Sequence, residues 1–161
     1  MTQEQVFDLW DTIKEDNEWA ELIPLTISKG KKTFGYCQYN RIFKCVEKIA
    51  ISKYVLDYGT DDEILNILLH ELAHAKVYHD EPNSNHGHDY VWRDACRDLG
   101  AEPSRLTNPS DRLKQALQNA SKYVLVCPNH GVVAHRERRP RATYLCRQCD
   151  EELKVKKQHV V

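Results

Sequence analysis

The stretch Thr60-Asp61-Asp62-Glu63-Ile64-Leu65-Asn66-Ile67-Leu68-Leu69-His70-Glu71-Leu72-Ala73-His74-Ala75-Lys76-Val77-Tyr78-His79 decides how this chain is read. Thr60 with Glu63 three residues later has the form of a capping box, in which each side chain satisfies a backbone N–H that the first helical turn leaves unpaired. Asp61, Asp62 and Glu63 also stand where a helix N-terminus favours carboxylates. Ile64, Leu65, Ile67, Leu68, Leu69 and Leu72 follow at helical spacing and cover much of the circumference, which predicts a buried central helix reaching Lys76 or His79. His70 and His74 lie a turn apart on one face, so both imidazoles can reach one metal ion at ~2.0–2.1 Å. Glu71 sits beside them as a base for a water whose pKa a bound zinc lowers to about 7. The bland alternative, a chance pair of helical histidines, would bury two polar rings on an apolar helix without compensation.

A catalytic zinc keeps three protein ligands and one open position. The candidates for the third are His79, His86 and His88. His79 is five residues past His74 and falls on another helix face. His86 and His88 flank Gly87 after the loop Pro82-Asn83-Ser84-Asn85, and periodicity does not choose between them.

Outward from this helix, Val6, Leu9, Trp10 and Ile13 give residues 3–21 helical spacing. Four short β-rich runs follow: Leu25–Ile27, Gly35–Tyr39, Ile42–Val46 and Lys48–Ile51. Gly30 and Asn40-Arg41 punctuate them, which predicts a small, mostly antiparallel sheet. A helix from near Asp89 to Leu99 should stop at Gly100, and Pro109 opens a last one bearing Leu113, Ala116, Leu117 and Ala120. The expected fold class is α+β, with domains at 1–122 and 123–161 and no internal repeat.

Cys127-Pro128-Asn129-His130 and Cys146-Arg147-Gln148-Cys149 form two ligand knuckles, whose four donors would close a tetrahedral structural zinc site. His130 could be replaced in that set by His135. Cys37, Cys45 and Cys96 lie in apolar contexts and read as core thiols, as Trp10, Trp19 and Trp92 read as core aromatics. A Cys37–Cys45 disulfide would require export.

The net charge of −1 over 161 residues hides an asymmetry. Residues 1–122 carry 15 Lys/Arg against 20 Asp/Glu, and residues 123–161 carry 8 against 4. The basic stretch includes Arg136, Arg138, Arg139 and Arg141, which suit phosphate contacts, with Tyr123 or Tyr144 available to stack on an unpaired base. A solvated hairpin is the plainer alternative. No run approaches the ~18 apolar residues of a membrane helix. The polar opening Met1–Gln5 lacks a secretory signal, so an intracellular setting is expected.

Ile64–His74 followed by Gly87-His88, Trp92 and Leu99-Gly100 resembles the SprT-like zinc metalloproteases, relatives of the Spartan protease. In that family a third histidine follows the HExxH helix, with an aromatic residue four positions later and a glycine about eight beyond. His88, Trp92 and Gly100 match that register. With His86, Tyr90 could serve as the aromatic but the glycine falls out of step. The resemblance therefore implies His70, His74 and His88 as ligands of a catalytic zinc and Glu71 as the general base. It also implies a C-terminal zinc ribbon and proteolysis of proteins bound or crosslinked to DNA; a monomer is expected, with single-stranded or damaged DNA as the partner of the basic ribbon. Two rival readings are a nucleic-acid-binding adaptor with two structural zincs and a metal-dependent hydrolase of non-peptide substrates.

Overall fold

The helices begin where the sequence puts capping side chains. In the computed structural model, which describes residues 1–104 and 108–158, the order is α1 (Gln3–Glu15), a 3-10 turn (Glu18–Ala20), β1 (Leu25–Ser28), β2 (Gly35–Asn40), β3 (Cys45–Ser52), α2 (Lys53–Tyr58), α3 (Asp61–Asp80), α4 (Tyr90–Asp98), α5 (Asp111–Asn119), β4 (Tyr123–Cys127), β5 (Gly131–Arg136) and β6 (Lys154–Lys157). The chain divides into two units, Met1–Leu113 and Lys114–Val161. Among the described residues no helix is long and apolar enough to cross a membrane.

The fold is α+β. At the start of α3 the Thr60 hydroxyl accepts from the Glu63 N–H at 3.1 Å, and the Glu63 carboxylate accepts from the Thr60 N–H at 2.7 Å. The helix runs 20 residues with Ile64, Leu68 and Leu72 fully buried. It packs on β3 and β2. β3 is the central strand of a β1-β3-β2 sheet, and its inner half, Ile49, Ala50 and Ile51, is closed to solvent. Antiparallel pairing holds for β2 with β3, but β1 joins β3 in parallel, so the sheet is mixed. Residues 29–34 lead from β1 to β2 on the other side of β3, which makes the parallel pairing possible without a helical crossover.

Two local expectations are corrected, and one short helix is added. The Ile42–Val46 run does not begin as a strand: the Asn40 side-chain oxygen accepts from the Ile42 and Phe43 N–H groups, both at 3.0 Å, and Lys44 takes φ 52°. This turn leaves Ile42 and Phe43 87% and 77% exposed. The first helix stops at Glu15 because Asn17 folds back, its amide donating to the Ile13 carbonyl at 2.9 Å, in the way short polar side chains compete with helix. Periodicity gave no sign of α2. Its start is the Ser52 hydroxyl, which accepts from the Tyr54 N–H at 3.2 Å.

α4 ends as the glycine signal implies. Gly100 takes φ +73°, its N–H reaches the Arg97 carbonyl at 3.1 Å, and the Ala101 N–H reaches the Cys96 carbonyl at 2.8 Å, a Schellman closure. Ala101 then joins Ala73, Val77, Trp92, Ala95 and Cys96 in the core between α3 and α4. In the second unit β5, β4 and β6 form an antiparallel sheet over a core of Leu125, Cys127, Cys146 and Leu153.

Gly35 is where β2 meets α3. A Cβ there would lie 2.7 Å from Ile67 Cγ2 and 2.9 Å from Glu71 Cγ, whereas one at Gly30 would meet nothing nearer than 3.6 Å. Gly35→Ala should therefore destabilise the first unit by about 1–3 kcal/mol through overpacking. Urea unfolding checks this, with Gly30→Ala expected near wild type; equal midpoints for the two variants would contradict the close approach.

Candidate metal centres

His70 and His74 project from consecutive turns of α3, and His88 comes to them from the residues just before α4. The His88 Nε2 lies 3.2 Å from the Nε2 of His70 and 3.2 Å from that of His74. One ring nitrogen carries either an N–H or a lone pair, so His88 cannot bond both neighbours well. Lone pairs aimed at one point repel unless a cation takes that point. Bonds of ~2.0–2.1 Å in a tetrahedral set require N···N edges of about 3.3–3.4 Å, close to those seen. The trio therefore fits a metal ion and could hold one.

Burial reinforces this. It pulls His74 down to about 3, helped by the neighbouring His70 and His88 charges. It pulls His70 down to about 4, helped by His88. Both rings are thus neutral near pH 7, the form that ligates. Trp92, itself fully buried, backs all three, with ring centroids 4.7, 5.2 and 4.5 Å from His70, His74 and His88. It is core, as the sequence indicated, and core of a particular kind: the wall against which the imidazoles rest.

His86 is engaged elsewhere. Its Nδ1 pairs with the Asp89 carboxylate at 2.7 Å and its Nε2 with Glu81 at 3.1 Å. Asp89 also caps α4, its other oxygen accepting from the Trp92 N–H at 3.2 Å. The loop between α3 and α4 is thereby tied at both ends, and this clamp places His88. Sequence reasoning missed it, although Asp89 just before a helix is an N-cap signal. His79 meets the Trp19 ring at 5.3 Å and stands apart from the trio.

Glu71 is 8% exposed and faces β2 across the Gly35 gap. Burial pushes its carboxyl up to about 7, opposed by a hydrogen bond from the Cys37 backbone N–H. A cleft of about 540 Å3 opens over the trio, lined by Gly35, Cys37, Tyr39, Glu71 and the three histidines among others.

In the second unit Cys127, His130, Cys146 and Cys149 converge. His130 Nδ1 lies 3.4, 3.5 and 3.5 Å from the sulfurs of Cys127, Cys146 and Cys149, and the Cys127 and Cys149 sulfurs are 3.6 Å apart. That separation is too long for a disulfide and suits the edges of a tetrahedral thiolate–imidazole site. His135 is spoken for by the Ser121 hydroxyl, with its Nδ1 at 3.1 Å. All six cysteines are free thiols.

Arg136 ends β5, while Arg138, Arg139 and Arg141 lie in the connection beyond it, and all four are exposed. The sheet adds basic groups that the sequence reading passed over: Lys154, Lys156 and Lys157 of β6, with Tyr123 of β4 set between Arg136 and Lys157.

The model of the SprT-like family matches residues 3–114. No curated protein matches the chain.

Metal analysis of the purified protein should return two ions per chain. His88→Ala and Cys146→Ser should each retain one, and His86→Ala should keep both while binding the first more weakly. Two ions retained by His88→Ala would remove that residue from the set.

Proposed function

The chain belongs to the SprT-like family, and on that premise we propose that it is a zinc-dependent endopeptidase. His70, His74 and His88 are assigned to a catalytic zinc, and Cys127, His130, Cys146 and Cys149 to a structural one. The convergence of three Nε2 atoms beside a buried carboxylate, at the floor of an open cleft, carries the assignment. A closed site of four side chains, such as the cysteine–histidine cluster, offers no such opening, which favours an enzyme over an adaptor with two structural ions.

When bound, zinc supplies a Lewis acid for the peptide carbonyl and makes a water acidic enough to lose its proton near pH 7. Glu71 receives that proton as the water oxygen forms its bond to the carbonyl carbon. The same carboxyl then delivers it to the amide nitrogen as the C–N bond breaks, leaving a carboxylic acid and an amine. Gly35 lets β2 come close enough for the Cys37 N–H to orient the carboxylate. Trp92 and the clamp on His86 hold the imidazoles in register and keep water from their inner side.

Residues 1–122 are assigned to catalysis and 123–161 to a zinc ribbon that guides it to DNA-associated or DNA-crosslinked proteins. The exposed Arg136, Arg138, Arg139 and Arg141, with the β6 lysines and Tyr123 nearby, support a phosphate-tracking surface for single-stranded DNA. A reducing intracellular compartment suits six free thiols, of which Cys96 is a buried core thiol while Cys45, read from the sequence as core, is exposed.

Glu71→Gln should keep both zincs and lower cleavage of a loosely folded protein by about 10^2-fold or more; undiminished cleavage would refute the role. Removing residues 123–161 should abolish salt-sensitive binding to single-stranded DNA, and binding that survives would place the anchor elsewhere.

A further inference from the structure

The cleft over the histidine trio does not end at His74. A second cleft of about 490 Å3 adjoins it, and Tyr39, His74 and His86 line both, so the two form one groove beside edge strand β2. The Tyr39 ring, stacked on Tyr78 with centroids 4.3 Å apart, walls this extension. At its outer side stand Arg41 and Lys44, from the turn that joins β2 to β3.

The charge of this extension is unlike that of the body around it, since residues 1–122 carry 15 Lys/Arg against 20 Asp/Glu. Arg41 and Lys44 are exposed, and among the described residues neither has a carboxylate within 4.0 Å. The acid that lines the extension, Glu81, already accepts from His86 Nε2 at 3.1 Å and from the Ser84 hydroxyl at 3.1 Å. The groove therefore offers two unanswered cations on this side of the trio. The Asn40 side-chain oxygen fixes the backbone between them through the Ile42 and Phe43 N–H groups. A peptide lying extended in the groove advances ~3.3 Å per residue, so side chains a few positions from the scissile bond pass these cations in turn.

We propose that Arg41 and Lys44 are specificity-determining residues that select peptide segments bearing Asp or Glu a few residues from the scissile bond, on the side nearest the β2–β3 turn. This rests on the endopeptidase reading and names the substrate class of that same site. A peptide is favoured over a nucleic-acid strand as the occupant because the cations border the groove that holds the trio and Glu71.

The test uses the full zinc-loaded chain and matched fluorogenic peptides that differ only by Glu or Lys at successive positions on either side of the cleaved bond. Wild type should favour the Glu peptides by about tenfold in kcat/KM, through KM, at positions on one side only. The preference should shrink as salt rises, since exposed charges are screened. Arg41→Glu with Lys44→Glu should reverse it while both zincs are retained. The same ratio read as peptide binding to Glu71→Gln, by fluorescence anisotropy, separates the two ideas. If that binding shows the charge preference while wild type cleaves nothing, the endopeptidase reading fails and the selection stands. Equal kcat/KM for Glu and Lys peptides, or a preference unmoved by the double reversal, would overturn the selection and leave the endopeptidase reading intact. Loss of oligonucleotide binding in the double reversal, with an unchanged peptide ratio, would overturn it too and assign the cations to a polyanion.

Discussion

The first unit is organised around a repulsion. His70 and His74, from consecutive turns of α3, and His88, from the residues before α4, bring their Nε2 atoms together, with that of His88 3.2 Å from each of the other two. Such an arrangement is unfavourable by itself, and the surroundings hold it from three directions. α3 sets two rings a turn apart, Trp92 closes the back, and the loop before α4 brings the third ring in. Polar rings lose hydration when they are buried. A cation at their common point converts that loss into bonding, so folding and metal binding reinforce each other here.

The second unit meets a related constraint with less material. Its buried apolar cluster is Leu125 and Leu153 with the sulfurs of Cys127 and Cys146, far too small to hold three short strands by hydrophobic burial alone. Cross-linking by a metal at the four donors would replace the missing core. The two cysteines that belong to that cluster are also candidate ligands, so the small core and the metal cluster are one object viewed from two sides.

What could be read from the sequence was local. The α3 cap, its length and the pairing of His70 with His74 follow from spacing along one helix, and the cysteine knuckles follow from spacing along two turns. The choice of His88 over His86 came from the family register of Trp92 and Gly100 rather than from helix spacing, and its physical reason was hidden: Asp89 and Glu81 occupy both nitrogens of His86. The parallel pairing of β1 with β3 was equally hidden, since alternation along a strand says nothing of its neighbour's direction. Ile42 and Phe43 misled for the opposite reason: apolar residues in a β-like run were held in a turn by one asparagine oxygen. The short α2 has too few residues for any periodicity to show. The cationic border of the groove needed the pairing of β2 with β3 before Arg41 and Lys44 could be seen beside His74.

Asp89 has one carboxylate and two tasks, starting α4 through the Trp92 N–H and fixing His86 through its other oxygen. The ring that touches all three histidines thus belongs to the residue whose N–H Asp89 caps. Opening of the first turn of α4 would for that reason loosen the Trp92 wall behind the third imidazole. Amide hydrogen exchange at the head of that short helix would then gauge ion occupancy some residues away, slower with the site filled than with it stripped.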